Sequence, residues 1–309
     1  MTAAHLTMTA LPFSFRFIAA RDGTRLRTAV CQAANARGVC VLFQGHCEFT
    51  EKYGEVVDEL AARGFAVATF DWRGQGGSAR ALSNPLMAHV GDYAEYDDDL
   101  TSFLEQVVKP ISPAPPLALA HSMGAHILLR SLHTRPGAFC AAVLTAPMQA
   151  IATRGYPAPL ARAVARLQVL AGRGGDFVWG VAERDPLLVD FAMQRCTSDP
   201  ARFARTQEII RNHPAIRLAG PTWGWLAATY RSMAQQARPG HAEAITTPVL
   251  VFGAGRDRIV ETEATRAFAA RLPHGRYIEL APSEHEILME ADCIRARFWQ
   301  AFDVFADGL

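Results

Sequence analysis

A chain of 309 residues, half of them hydrophobic, is long enough for one large core with an inserted subdomain. Lys and Arg total 31 against 30 Asp and Glu, giving a formal net charge of +1, and no dense basic run marks a nucleic-acid surface. The six cysteines, Cys31, Cys40, Cys47, Cys140, Cys196 and Cys293, contain no C-x-x-C pair and no metal-ligand spacing, which points to free thiols in a reducing compartment. No stretch reaches the roughly 18 apolar residues of a membrane span. Met1 to Pro12 lacks the basic residue and long apolar core of a secretory signal, so a cytoplasmic location is expected.

Phe13 to Ala20 and Arg25 to Cys31 alternate apolar and polar side chains around Asp22-Gly23, which predicts a β-hairpin. Val39 to Phe43 is a continuous apolar run, the pattern of a strand buried on both faces. The loop Gln44-Gly45-His46-Cys47-Glu48 follows, then an amphipathic helix over Tyr53 to Arg63 and a strand over Phe65 to Phe70. Asp71 to Ser78 is Gly-rich but lacks the Lys-Ser/Thr of a P-loop, so no nucleotide is expected there; Asp71 and Arg73 read as a structural pair. A helix is expected over Asp92 to Val108, with Asp97-Asp98-Asp99 on its solvated face. Leu117 to Ala120 reads as a strand, Ala125 to Leu132 as a helix and Ala138 to Thr145 as another buried strand.

From about Gln149 to Gly240 this alternation gives way to helical segments with Pro and Gly breaks, as in an inserted lid. Pro159 to Ala171 places Leu160, Val164 and Leu167 on one face and Arg162 and Arg166 on the other; such a helix either packs on a neighbour or lies on an anionic lipid surface. Thr197-Ser198-Asp199-Pro200 signals a helix start, and Trp223 and Trp225 belong either to an apolar substrate pocket or to the lid's own core. Alternation resumes with a strand at Val249 to Phe252, a helix at Thr262 to Arg271, a strand at Tyr277 to Leu280 and a final helix to about Phe305. The core is therefore assigned to residues 1–148 and 241–309, and the lid to 149–240.

The strand–turn–helix passage Leu117-Ala118-Leu119-Ala120-His121-Ser122-Met123-Gly124 has the context of a nucleophile elbow, with Ala120 in place of the first glycine. Serine is a weak nucleophile at neutral pH and needs a base within hydrogen-bond reach, itself oriented by a carboxylate. Asp257 and His285 follow Ser122 in the order that an elbow of this kind uses, and each stands just after a predicted strand, at the same sheet edge. His121 adjoins the serine and faces elsewhere, which leaves it as a substrate-side candidate with Trp223 and Trp225. His126, His133 and His274 lie on the following helix or before the last strand; His5, His89, His213 and His241 fall in loops or the lid. The backbone N–H groups of His46 and Met123 are the expected oxyanion donors, and neither a metal nor an organic cofactor is required.

These motifs resemble the lysophospholipase and monoacylglycerol-lipase branch of the α/β-hydrolases, also described as serine-aminopeptidase-like. The likeness rests on Glu48-Phe49-Thr50-Glu51-Lys52-Tyr53, Asp71-Trp72-Arg73-Gly74-Gln75-Gly76, Ala120 to Gly124, Thr197 to Pro200, Pro221 to Trp225 and His285-Glu286-Ile287-Leu288-Met289-Glu290. It implies a mostly parallel eight-stranded sheet flanked by helices with an inserted helical lid. It also implies Ser122 as nucleophile, Asp257 as acid and His285 as base, acting on single-acyl lipid esters; peripheral membrane contact through the lid would come from the helix over Pro159 to Ala171. Two positions depart from the usual pattern. His46 stands where a small residue is common, and Ala125 where a second glycine is common. A short-chain carboxylesterase is the nearest alternative. An aminopeptidase would need an amine-binding carboxylate such as Glu183, Asp185 or Glu208, a dehalogenase would need Asp at 122, and a silent binding module would be expected to have lost a triad member.

Overall fold

The computed structural model describes residues 13–33, 35–153, 155–181 and 185–309. Among them the predicted hairpin forms as β1 (Ser14–Ala19) and β2 (Arg25–Cys31), paired antiparallel. The apolar runs become β3 (Gly38–Phe43), β4 (Phe65–Phe70), β6 (Leu117–His121), β7 (Ala141–Thr145) and β9 (Val249–Ala254), with β10 (Gly275–Leu280) at the far edge. The sheet order is β1-β2-β4-β3-β6-β7-β9-β10. Only the β1–β2 and β2–β4 pairings are antiparallel; from β4 to β10 the strands run parallel.

Parallel strands need crossovers, and the helices that supply them bury both sheet faces. This is why β4, β6, β7 and β9 are buried at every residue. The covering helices include α1 (Gly54–Ala62), α2 (Ala94–Phe103), α3 (Ser122–Thr134), α7 (Thr262–Ala269) and α8 (Asp292–Ala306).

Between β7 and β9 the chain leaves the sheet to form α4 (Ala158–Leu170), α5 (Pro200–Asn212) and α6 (Trp223–Gln236). A small parallel pair that the sequence did not announce, β5 (Met87–Ala88) with β8 (Gly220–Pro221), ties this excursion to the segment after β4. Asp199 caps α5 through the N–H groups of Ala201 and Arg202, each at 2.9 Å, as the Thr-Ser-Asp-Pro signal predicted.

Three local expectations need correction. On α4, Ala161, Val164 and Ala165 turn inward against α6, while Leu160, Leu167 and Leu170 point outward beside the arginines at 53 %, 63 % and 71 % exposure. The small alanines let the two helices approach closely, so the leucines are left outside. The run Asp97-Asp98-Asp99 is not a uniformly solvated face: Asp99 is fully buried and holds Arg73 with two hydrogen bonds of 2.8 and 2.6 Å. Asp71 in turn pairs with Arg27 at 2.6 Å rather than with Arg73. Successive residues of a helix point in different directions, which is how one aspartate of three becomes internal.

Candidate active site

Ser122 opens α3 directly after β6, at a backbone φ of 50°. That left-handed angle is strained for a residue with a Cβ, and the sharp turn it makes presents the side chain above the sheet edge. The small neighbours have a steric reason. A Cβ on Gly124 would lie 2.5 Å from the Gln44 carbonyl oxygen and 2.8 Å from that of Phe43, so α3 can seat its first turn against the end of β3 only with glycine there. Ala120, inside β6, is fully buried and leaves the elbow intact.

His285 and Asp257 come from the loops after β10 and β9. His285 Nε2 lies 2.9 Å from Ser122 Oγ, and its Nδ1 lies 2.6 Å from Asp257 Oδ2. The Asp257 carboxylate also accepts the N–H groups of Ile259 at 2.8 Å and Val260 at 2.9 Å, and none of its side chain reaches solvent. Burial raises its proton affinity, but the imidazole and these backbone donors reverse the shift and hold it ionised. Burial likewise pulls the His285 pKa down, and the adjacent Asp257 charge outweighs it, leaving the imidazole above its ordinary value.

The loop after β3 lies against the serine: a Cβ on Gly45 would sit 3.2 Å from that of Ser122. Three side chains pin this loop. Glu48 accepts the Gly45 N–H, Trp72 Nε1 donates to the Gln44 carbonyl at 3.0 Å, and Gln75 bridges the Gly45 carbonyl at 3.2 Å and the Cys47 N–H at 2.6 Å. Cys47 takes a positive φ of 62° in the process. Among the described residues, the N–H groups of His46 and Met123 donate to nothing, which leaves both for a ligand.

A buried ionic cluster lies behind the histidine. Lys52 joins Glu48 at 2.7 Å and Glu286 at 2.6 Å, and Tyr53 donates to Glu48 at 2.7 Å. Burial would raise Glu48, but Lys52 and the nearby His121 hold it down at about 2. Burial lowers His121 to about 4, so it is neutral; its Nδ1 sits 3.1 Å from both oxygens of Thr145 and its ring centroid 4.8 Å from that of His285. His121 thus backs His285 within the protein rather than lining open space. Glu48, Lys52, Gln75 and Glu286 stand in the motifs that carry the family likeness, which assigns them no task. The signal was available, since an acid and a base four apart sit immediately after a strand buried on both faces.

Of the two tryptophans, Trp225 packs against the His46 ring with centroids 3.9 Å apart and planes tilted by 34°, which places it over the loop after β3. Trp223 is equally buried but packs edge-on against Trp179 at 4.9 Å, within the excursion. The amine-site carboxylates do not gather here. Asp185 caps the turn at Pro186–Leu188 and pairs with Arg217 at 3.4 Å, Glu208 is exposed on α5, and Glu183 lies outside the described residues.

Comparison with known proteins shows which family the chain belongs to. A family model described as "Serine aminopeptidase, S33" matches residues 34–292. The chain belongs to this family, and its fold is the α/β-hydrolase fold. Lysophospholipase L2 of Escherichia coli (strain K12) is 32% identical over 283 residues, covering 89% of this chain and 82% of that protein. A monoacylglycerol lipase of Mycolicibacterium smegmatis is 25% identical over 238 residues, covering 76% of each. Among solved structures, a soluble variant of monoglyceride lipase from Saccharomyces cerevisiae superposes with a TM-score of 0.78 at 18% identity, covering 100% of this chain and 99% of that one. A thermostable carboxyl esterase from Bacillus coagulans gives 0.77 at 17%, covering 96% and 98%; both likenesses are of fold alone. The hydrolase is a carboxylic ester hydrolase of the lysophospholipase and monoacylglycerol-lipase type. Among its described residues no helix is long and apolar enough to cross a membrane.

Proposed function

We propose that this hydrolase cleaves the ester bond of single-acyl lipids, lysophospholipids or monoacylglycerols, through a Ser122–His285–Asp257 triad. The observation that carries the reading is the unbroken chain of hydrogen bonds from Ser122 Oγ through His285 to the buried Asp257 carboxylate. His285 Nε2 takes the hydroxyl proton as Ser122 attacks the ester carbonyl. The tetrahedral oxyanion receives the N–H groups of His46 and Met123, each such donor contributing roughly 2.7–4 kcal/mol to the transition state. His285 then protonates the departing alcohol, and water, activated by the same imidazole, releases the fatty acid from the acyl-enzyme.

Residues 149–240 act as the lid in this reading, and the outward leucines of α4, flanked by Arg162 and Arg166, are the surface that meets an anionic membrane from the cytoplasmic side. The single-acyl lipid preference is supported by the names of the relatives and by the apolar lid. Hydrolysis of lysophosphatidylcholine, a monoacylglycerol, p-nitrophenyl butyrate and an aminoacyl anilide tests it, with Ser122→Ala alongside. Turnover of the long-chain lipids above the others, lost in the variant, is expected. Turnover of butyrate alone would reduce the enzyme to a short-chain esterase.

A further inference from the structure

The side chain that holds the loop after β3 carries a charge that works against the chemistry. Glu48 accepts the Gly45 N–H and so fixes the loop in the course that leaves the next N–H, that of His46, without a partner among the described residues. A Cβ on Gly45 would lie 2.7 Å from Glu48 Oε2, 3.0 Å from His121 Cδ2 and 3.2 Å from the Cβ of Ser122, so the carboxylate is a near neighbour of the serine. It is buried and ionised, its pKa held at about 2 against that burial. Such a charge opposes both changes that the attack requires. It repels an oxyanion forming at the ester, and it favours the imidazolium of His285 over the neutral base.

Lys52 meets that charge. Its ammonium is buried 2.7 Å from Glu48 Oε1 and 2.6 Å from Glu286 Oε1, the residue after His285. Burial disfavours the ammonium, but Glu286 and Glu48 outweigh it and hold Lys52 protonated. The other groups around His285 do not supply this compensation. Asp257 brings the negative charge of the triad at 2.6 Å. Burial lowers His121 to about 4 and His46 to about 3, and it pushes the Tyr53 hydroxyl and the Cys196 thiol up, so all four are neutral. Glu284, before His285 in the chain, pairs with the half-exposed Arg258 at 3.3 Å. Building on the triad proposed above, we infer that Lys52 is a positioning residue of the reaction: it lets a carboxylate hold the loop beside the serine while cancelling the charge that would otherwise oppose the oxyanion and keep the proton on His285.

The test is the acid limb of kcat/KM against pH on p-nitrophenyl butyrate, with the pH dependence of Ser122 labelling by a fluorophosphonate as a second readout. Lys52→Met removes the ammonium and keeps an apolar stem. Its limb is expected to move up by about one pH unit, the scale of one unit charge acting across several ångströms of protein. Its kcat on the alkaline plateau is expected to fall about tenfold, through the repelled oxyanion. Glu48→Gln keeps a carbonyl acceptor for the Gly45 N–H and should move the limb down by a similar amount. The two substitutions together restore the wild-type charge, and the limb should return; Lys52→Arg, which keeps the charge, should hold it. A merely structural Lys52 would lower the rate without moving the limb in opposite directions. Should Lys52→Met not fold, the comparison stands in the Glu48→Gln background, where the double variant should lie above the single one. Limbs that coincide in wild type and variants overturn the inference while leaving the triad intact. A wild-type protein that neither hydrolyses the ester nor takes the label at Ser122 overturns the triad, and this inference with it.

Discussion

His285 has two opposing influences on its proton, and their balance sets the pH at which it can act as the proposed base. Burial disfavours the imidazolium, while the Asp257 carboxylate at 2.6 Å favours it more, so its pKa stands above the ordinary 6.5. Only the neutral ring can take the Ser122 proton, and activity must fall as pH drops through this raised value. The acid limb of kcat/KM against pH is therefore expected above 6.5. In Asp257→Asn, burial is opposed only by the smaller pull of Glu286 and Glu48, so the limb should move to lower pH, with a loss of roughly ten-thousand-fold in kcat from the misassigned tautomer. An unmoved limb in the variant would remove Asp257 from the role given to it. The three residues were legible in sequence because each follows an apolar strand, and residues at strand ends share an edge. The Glu48–Lys52 spacing was a signal, but the reach of Gln75 into the same loop was not legible, since it depends on which loops meet across the sheet edge.

At the level of elements, the excursion between β7 and β9 is fastened to the two loops that carry Asp257 and His285. Ile151 pairs with Val260, just beyond Asp257, and the Glu261 N–H bonds the Ala150 carbonyl at 2.9 Å. On the other side, the Glu286 N–H bonds Cys196 O at 2.7 Å, Thr197 Oγ1 bonds Met289 O at 2.6 Å, and Ser198 bonds the buried Glu290 carboxylate. Arg202 of α5 completes the fastening: it reaches Glu55 and Asp292 at 2.6 Å, Glu290 O at 2.8 Å and Asp199 at 3.0 Å, at 7 % side-chain exposure. Removing one partner of a buried ion pair leaves the others uncompensated, typically at about 3–5 kcal/mol. Arg202→Ala should fall near the lower end of that range in urea unfolding, since Arg205 and Arg295 still face Glu55. A change under about 0.5 kcal/mol would show that this fastening does not stabilise the fold. The motif Thr197 to Pro200 announced a helix start, and did so correctly. That it also binds the histidine loop could not be read from one segment, because the bonds join residues about ninety positions apart.

On the scale of the whole molecule, the exposed apolar side chains are unevenly distributed. Tyr156, Leu160, Leu167, Leu170, Trp179, Leu188 and Met193 are each more than half exposed and lie between β7 and β9, whereas Val304 and Leu309 near the C-terminus are the other large apolar side chains so exposed among the described residues. The parallel sheet and its helices, by contrast, bury their apolar faces almost completely. Periodicity identified α4 as amphipathic but assigned its inner face wrongly, because alanine is apolar enough to pack and small enough to win the close contact with α6. If the outward leucines meet lipid, each side chain buried contributes about 1.5–3 kcal/mol. Leu167→Asp combined with Leu170→Asp should then lower partition onto anionic vesicles by well over tenfold, read by co-sedimentation. Hydrolysis of soluble p-nitrophenyl butyrate should stay unchanged. Equal sedimentation of wild type and variant would mean that this face does not contact membranes.

The proposed ester hydrolysis and its pH dependence both require Ser122 as the nucleophile. Its most direct test is intact-mass analysis after treatment with a fluorophosphonate, applied to the wild type and to Ser122→Ala. One adduct on the wild type, mapped to Ser122 by peptide sequencing and absent from the variant, is the expected result. A variant that still takes up the label, or still hydrolyses ester, would contradict the triad and place the chemistry elsewhere on the chain.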